Sequence, residues 1–520
     1  MIHVVIYRGH IRNHRALCET LGIDGALPRR QREEAILAGA YEAYGDQAGL
    51  HLHGMFACVL RDDKTDTLFL MRDPFGTKPL YYYLTADNRL LYGTMIREIT
   101  SQDGFVKKLN ERALQQYMSL TYAGGEETFF EGLMKLMPGH TMTVKKGQKP
   151  VISRYWKPAF RADKAGSAES FAEELDETLR VIMAELEDDR EVTGSFLSGG
   201  VDSSYVLAVS GAREAFAVGY DDERFDESRL AEETASLLKR SFNRLTVSPE
   251  DYFGIVPFVM EHMEQPLGDA SAIAFALGCR AAKDRMRALI PDGQDKPVIY
   301  SGEGSDEFFG GYNVYRNAKK YGPLLKTFYA GNTNIMKEAE KKALLARYED
   351  GLKTVDVARP VFDEDKGLDA LTVMCDVDIR IWLEGDIYLN VDKMSEAAGI
   401  EVRMPLTDRR IFDIASRVPS KLKVNAERNK IVLRTAAAKH LPEDIAFRKK
   451  LGFVVPIRHW LADERYNGDV RRLLQSDRAA LFFKPDALRK LYEDYTGGNS
   501  DLWRRVWAVY VFLVWHELYF

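Results

Sequence analysis

Two loops of this chain concentrate the small and acidic side chains that can meet a polyphosphate. The first, FLSGGVDSS at 196–204, sets Asp202 among glycines and hydroxyls. It follows the strand-like EVTGSFL and precedes the helix-compatible SSYVLAVSGA, which predicts the strand-to-helix turn of an α/β unit. A helix N-terminus there offers unpaired N–H groups and a positive dipole end to an anion. Gly199 and Gly200 let the backbone approach phosphate oxygens, and Ser198, Ser203 and Ser204 add hydroxyl donors. The spacing is not that of a Walker loop. The second loop, in VIYSGEGSDEFFGGYNVYR at 298–316, leaves an apolar strand through small residues and offers Glu303, Asp306 and Glu307. Separated carboxylates such as Asp202 and Asp306, meeting over a polyphosphate, suit Mg²⁺, a hard cation that takes one or two carboxylates plus phosphate oxygens. Either loop alone reads equally well as a helix start with acidic caps. The pair points to nucleotide chemistry.

The elements that must position these loops are legible in the pattern. From Ile2 to about Trp156, short β-branched and aromatic runs (IHVVIY, GMFACVL, TLFLM, PLYYYL, LLYGTM, HTMTVKK) predict a strand-rich layer with helices over 13–22 and 31–45. After the polar KPAFRADKAGS, apolar residues recur at helical spacing as Phe171, Leu175, Leu179 and Ile182. Strands at 192–197, 215–220, 242–247 and 297–301 then alternate with helical stretches, the signature of a parallel sheet covered on both faces. Helices dominate from about 317, including a charge-rich NIMKEAEKKALLARYEDGLK that reads as a solvated face.

Composition sets bounds. At 520 residues the chain is too long for one core, which predicts two or three domains. A net charge of −6 lacks the basic excess of a nucleic-acid binder. Cys18, Cys58, Cys279 and Cys375 lack the paired spacing of a zinc or redox motif and read as buried thiols of a reducing, cytoplasmic compartment. The N-terminus has no signal-peptide pattern, and the most apolar run, VWAVYVFLVW at 506–515, is too short to span a membrane and reads as a buried terminal helix.

The first loop resembles the pyrophosphate-binding loop of PP-loop ATPases, which cleave ATP between the α and β phosphates. Together with FAVGYDDERFDES, MEQPLGDASAIA, YSGEGSDEFFGGYNVY, VDKMSEAAGIEVRMPLTDRR and KIVLRTAAAKHLPEDIAFRKKLGFVVPIRHWL, it makes the chain resemble the glutamine-hydrolysing asparagine synthetase family. GMFACVL, FLMRDPFGTKPLYY and FFEGLMKLMPGHTMTV resemble that family's glutaminase domain. The resemblance implies an α/β protein with an N-terminal β-rich, Ntn-hydrolase-like domain over 1–157 and a PP-loop synthetase domain over 158–520 with a helical extension. It implies ATP and Mg²⁺, a small-molecule carboxylate and an ammonia or amine donor, with no nucleic-acid or membrane partner; monomer and homodimer stay open. By it, Leu197, Val218, Ser301 and Gly302 line the adenine and ribose site, Ser198, Gly199, Gly200, Asp202, Ser203 and Ser204 hold pyrophosphate, and Asp202 and Asp306 hold Mg²⁺. Glu303 and Lys430 are the implied catalytic residues, Lys430 near the α-phosphate; Asp269, Ser271, Glu401 and Arg403 are the implied substrate-binding residues.

The pattern breaks at the N-terminus. The family's glutaminases use an N-terminal cysteine whose α-amino group is the base, whereas here no cysteine precedes Cys18, and VIYRGHIRN stands where the family has IVFNGEIYN. The domain is therefore expected to begin at an internal strand. Arg8 replaces an oxyanion-hole Asn, His10 a Glu, and Arg32 the Asp that pairs with the glutamine amino group. A cation at Arg32 repels an ammonium, so the resemblance implies a degenerate glutaminase. Retained Glu303, where β-lactam synthetase has Tyr, favours aspartate as the default acyl substrate; other amide- or lactam-forming chemistry and a non-catalytic ATP-binding role are the alternatives.

Overall fold

The computed structural model describes residues 1–187, 192–290, 296–449 and 454–520. The alternating N-terminal runs become β1 (Ile2–Ile11), β2 (Gly54–Asp62), β3 (Thr67–Arg72), β4 (Tyr81–Leu84), β5 (Leu90–Gly93), β6 (Leu133–Lys135), β7 (His140–Lys145) and β8 (Val151–Arg154). They pair antiparallel into a five-stranded sheet, β1-β2-β3-β7-β8, and a three-stranded sheet, β5-β4-β6. The helices His14–Leu21 and Arg29–Tyr44 match the expectation, and Ile36, Leu37 and Ala40 of the second are buried in a small core with Phe56 and Phe69. The helices Ile96–Thr100 and Glu111–Leu120 were not expected; the second is capped by Asn110, whose side chain accepts from the N–H groups of Arg112 and Ala113.

The second half builds a parallel sheet from β9 (Thr193–Phe196), β10 (Glu214–Gly219), β11 (Ser241–Thr246), β12 (Val298–Tyr300) and β13 (Glu401–Arg403), in the order β11-β10-β9-β12-β13. The chain leaves β9 to one side for β10 and β11, then returns to its other side for β12 and β13. Where the order reverses, between β9 and β12, the crevice beyond the carboxyl ends of the strands is the place such sheets bind ligands. The two loops read as phosphate-binding leave these two strands. The helix Ala168–Leu186 buries Phe171, Leu175, Leu179 and Ile182, as their spacing predicts.

Two expectations fare differently. The apolar terminal segment is a buried helix, Trp503–Tyr519, with Val506 to His516 buried; the Tyr117 hydroxyl donates to the Ala508 carbonyl and the Trp515 indole to that of Glu264. Among the described residues no helix is long and apolar enough to cross a membrane, and the four cysteines are buried and unpaired. The charge-rich stretch, by contrast, is helical only over Glu338–Leu344, and it is not a wholly solvated face: the Lys341 ammonium is buried against Glu338 and the Thr354 hydroxyl. A long alkyl stem lets a lysine face inward once its charge is paired.

The two halves share one continuous core, in which Phe129 stacks edge-on against Trp515 and Phe75 packs on Phe412. Buried ion pairs cross the same interface. Glu384 takes the Arg72 guanidinium at 3.0 Å and the Lys135 ammonium at 2.8 Å, while Asp392 takes Lys78 at 2.9 Å and Arg8 at 3.2 Å. Burial raises the Glu384 carboxyl, but Lys135 and then Arg72 outweigh it and hold its pKa below the ordinary value. Removing one member of such a cluster leaves charges unpaired in low dielectric. Glu384→Ala is therefore expected to destabilise the protein by about 3–5 kcal/mol, seen as a clear fall in the thermal midpoint, whereas Glu364→Ala, at a half-exposed cluster, should lower it far less.

Candidate active site

After β9 the backbone turns through Leu197–Gly200 into the helix Val201–Val209. The Leu197 N–H donates to the Phe216 carbonyl at 2.8 Å, tying the turn to β10. The Ser203 hydroxyl accepts from the Ser198 N–H at 3.1 Å and lies 3.2 Å from the Ser198 hydroxyl, closing the loop on itself. Gly200 caps the helix without a side chain, so its first N–H groups face the loop uncapped, an anion-binding arrangement.

After β12 the chain turns through Ser301–Gly304 into the helix Ser305–Phe309. The Ser301 N–H donates to the Arg403 carbonyl at 3.0 Å, and the Thr407 hydroxyl donates to the Glu303 carbonyl at 3.0 Å. The two loops touch backbone to backbone: a Cβ on Gly302 would stand 2.9 Å from the Asp202 carbonyl carbon and the Ser203 nitrogen. Gly311 is constrained likewise, since a Cβ there would fall 1.7 Å from an Asp306 carboxylate oxygen and 2.2 Å from the Lys430 Cε.

Lys430 joins the loops. It precedes the helix Ile431–Ala437 in the left-handed region, with φ 55°, and is only 2% exposed. Its ammonium lies 2.6 Å from Asp202 Oδ2, 2.7 Å from Asp306 Oδ1 and 3.1 Å from the Ser305 hydroxyl. A non-glycine residue held there costs about 1–3 kcal/mol and persists only when its surroundings enforce it. The enforcing contacts are visible: Asn429 donates to the Gly311 carbonyl and accepts from Arg316, and Arg434 donates to the carbonyls of Asn429, Ala446 and Arg448. The other Asp202 oxygen, Oδ1, is buried with no hydrogen-bond partner.

A cavity of about 320 Å³ opens from these loops. Leu197, Phe216, Val218 and Phe275 line an apolar part; Ser198, Asp202, Ser203, Ser301, Gly302, Glu303 and Asp306 line the loop part. Asp269, Ser271, Tyr312, Trp382 and Asn390 complete a polar wall. A second cavity, of about 500 Å³, lies on the other side of Asp202 and Asp306, and Arg316, Arg428, Lys430, Arg434 and Arg448 make it strongly cationic. Ser204, one residue beyond Ser203, is buried with its hydroxyl unpaired.

Asp269 accepts from the Ser271 N–H at 2.9 Å and from its hydroxyl, which also fixes the start of the helix Ser271–Arg287. Burial raises its pKa, and beside it Asp386 is pushed well up, by burial first and then by the Asp269 charge. Glu307 is raised in the same way by burial and by Asp306, and it accepts the Tyr312 hydroxyl. Asp386 and Trp382 come from Asp378–Ile387, a wide π-helical stretch of the kind often found at functional sites.

Two expected substrate-binding residues lie elsewhere. Glu401 sits at the start of β13, opposite Val298, and is held by Arg29 at 2.9 Å and Arg403 at 2.8 Å; Arg403 donates to the Leu186 carbonyl. Neither lines the cavity: two residues apart on β13, they share the strand face turned to Arg29 and Leu186, away from the phosphate loops. Sequence reasoning did not assign Arg316, Arg428, Arg434 and Arg448, although they lie in or beside the quoted motifs; their common cationic character was the available signal. Residues 450–453 of the last motif lie outside the described residues.

An uncapped helix start and two acidic loops meeting at the switch point of a parallel sheet make a site suited to a polyphosphate, and the family the chain matches is one of ATP-dependent carbon–nitrogen ligases. Family models agree: that for asparagine synthase matches residues 174–517 and that for a glutamine amidotransferase domain matches residues 2–156. The chain is 31% identical to the glutamine-hydrolyzing asparagine synthetase 1 of Bacillus subtilis, covering 99% of this chain and 85% of that protein. It is 29% identical to a putative glutamine-hydrolyzing asparagine synthetase of Mycobacterium bovis, covering 99% and 84%, and 24% identical to asparagine synthetase 3 of B. subtilis, covering 86% and 75%. The chain belongs to the asparagine synthetase family.

Because Gly302 packs on the Asp202 backbone, Gly302→Ala must push the two loops apart. It is expected to lower turnover at least tenfold while the far-ultraviolet circular dichroism stays unchanged.

Proposed function

We propose that this protein uses ATP to adenylate a carboxylate, aspartate by default, and lets ammonia displace AMP to give an amide without hydrolysing glutamine. The observation that carries this reading is the convergence of Asp202, Asp306 and Lys430 at the loop end of a cavity whose other walls are apolar on one side and acidic on the other.

The apolar wall of Leu197, Phe216, Val218 and Phe275 suits an adenine ring. The uncapped N–H groups and hydroxyls of Ser198 to Ser204, with the cationic wall beyond, suit the leaving pyrophosphate. Asp202 and Asp306 would hold Mg²⁺, a reading supported by the unpartnered buried oxygen of Asp202 and by the cation lodged between the two carboxylates. When bound, that ion neutralises phosphate charge.

A substrate carboxylate oxygen attacks the α-phosphorus, and the bond to pyrophosphate breaks. Lys430, displaced from the carboxylates, meets the negative charge that grows on the α-phosphate. The nitrogen lone pair then attacks the acyl carbon, the bond to the AMP oxygen breaks, and the nitrogen gives up a proton, for which the Glu303 carboxylate, on the cavity wall, is the acceptor in this reading. Asp269, which lines the cavity beside Asp386, whose pKa burial and the Asp269 charge push well up, suits a substrate ammonium.

A glutamine-independent mode is supported by the N-terminal layer, where Arg8 is bound to Asp392 and Glu396, and Arg32 stands at the position that the family resemblance gives to an ammonium-binding Asp. A second reading, an amide- or lactam-forming ligase with a larger carboxylate, is favoured by a cavity of about 630 Å³ that shares Asp269, Ser271 and Trp382 with the first and extends to Arg504 and Arg505.

ATP–pyrophosphate exchange across a panel of carboxylates tests both readings. Exchange with aspartate, and an amide formed with ammonia but not with glutamine, is expected; glutamate released from glutamine refutes the glutamine-independent mode, and exchange only with larger acids favours the second reading. Lys430→Ala is expected to lower turnover by about 10²-fold or more, as loss of one preorganised donor does, with ATP affinity changed far less. Only an interaction stronger in the transition state acts this way, so a raised Michaelis constant for ATP with turnover kept would make the lysine a ground-state binder. Arg should rescue poorly, because a flat fork does not replace a compact point charge.

A further inference from the structure

A cavity of about 450 Å³ lies between the N-terminal layer and the synthetase domain and shares no lining residue with the cavities at the two phosphate loops. Its wall carries Arg12, Arg15, Arg29, Arg32 and Arg403. Two of these are paired, Arg29 with Glu33 and Glu401, and Arg403 with Glu401. The others are not fully used. Arg12, 3% exposed, donates Nη2 to the Thr407 carbonyl at 3.0 Å and has Asp408 at 3.3 Å from Nε, yet its Nε and Nη1 are buried with no hydrogen-bond partner. Arg32 donates Nη1 to the Gly25 carbonyl at 3.1 Å and leaves a buried Nε unpartnered. His10, 4% exposed, leaves Nε2 unpartnered as well.

Buried polar groups are normally satisfied, and two arginines that leave buried N–H donors without a hydrogen bond at one cavity call for a ligand. The backbone adds to the case. The sixteen-residue helix Arg29–Tyr44 starts after Pro28 with no side-chain cap and no acid in its first turn, so its positive end is uncompensated where Arg29 and Arg32 line the cavity. The acids of the wall other than the exposed Glu19 are already engaged: Glu33 accepts the Tyr7 hydroxyl, the Ile11 N–H and the Arg29 guanidinium, Glu185 is bound by Arg410, and Glu187 accepts the Gly211 N–H.

We propose that this cavity is an anion-binding site, distinct from the active site, that takes a small oxyanion (carboxylate or phosphate) on Arg12, Arg32 and the first turn of the helix Arg29–Tyr44. Its position, between β1, two N-terminal helices, the end of the helix Ala168–Leu186 and β13, would let such an anion stabilise the docking of the two halves.

Isothermal titration of the full chain with inorganic phosphate, and separately with succinate, at constant ionic strength, tests this without any turnover. With the active-site loops filled by a non-hydrolysable ATP analogue, saturable binding of one ion per chain is expected with at least one probe; the probe that binds tells a phosphate site from a carboxylate site. Arg32→Ala, at a half-buried position that tolerates truncation, should weaken binding at least tenfold, and the exposed Arg15→Ala should weaken it less. Lys430→Ala should leave it unchanged, because that lysine lies at the other cavity. No saturable binding of either probe, or binding that Lys430→Ala removes and Arg32→Ala keeps, overturns the proposal. Because neither outcome depends on adenylation, failure here leaves the reading of the active site untouched, and the converse also holds.

Discussion

The ammonium of Lys430 between Asp202 and Asp306 is the contact through which three distant parts of the chain become one site. Two carboxylates brought together at the ends of neighbouring strands repel each other; two like charges about 4 Å apart at an effective dielectric near 20 do so by about 4 kcal/mol. A cation between them reverses the sign. The same geometry explains why the chain tolerates a left-handed lysine: the strain at Lys430 is held in place by Asn429, Arg316 and Arg434, whose hydrogen bonds go to backbone carbonyls and to one another. A buried cation shared by two carboxylates is a different device from a lysine on a solvated helix.

The sheet order gives this contact its place. β9 and β12 are adjacent although about a hundred residues separate them, and the chain departs from them in opposite directions. Both loops therefore open over one crevice, close enough that only glycine fits at 302. Helix dipole, hydroxyls and carboxylates would do little if spread over the surface. At the switch point they act on one ligand.

The N-terminal layer is bonded to the synthetase half by more than apolar contact. Glu384, Asp392 and Glu264 each hold cations or backbone N–H groups from that layer or beside it, in an interface that excludes water. Arg8, which departs from the family's glutamine pocket, is one of these ties, through Asp392. The substitution that removes a polar pocket residue thus adds an interdomain ion pair. The position of Arg32 and Arg12 at a separate cavity shows that the same layer has kept a concave, cationic surface.

Much of the protein was legible in its sequence because the information there is local. Alternation gave the strands of both halves, the spacing of Phe171, Leu175, Leu179 and Ile182 gave the long helix, and the small residues before Asp202 and around Glu303 marked the loops. The charge-rich segment misled because periodicity does not say which face is covered, and Lys341 is turned inward. Glu401 and Arg403 lie outside the cavity at the phosphate loops, because a motif shows which residues lie together along the chain, while the strand face they share decides which side of the sheet they reach. Which carboxylates share Lys430, which arginines gather behind it, and which side chains are left unpaired at the second cavity depend on contacts between residues hundreds of positions apart. The sequence by itself determined the residue types and the turns that could bind an anion; the tertiary structure alone decided which charges meet, because electrostatic attraction falls with distance in space and is blind to distance along the chain.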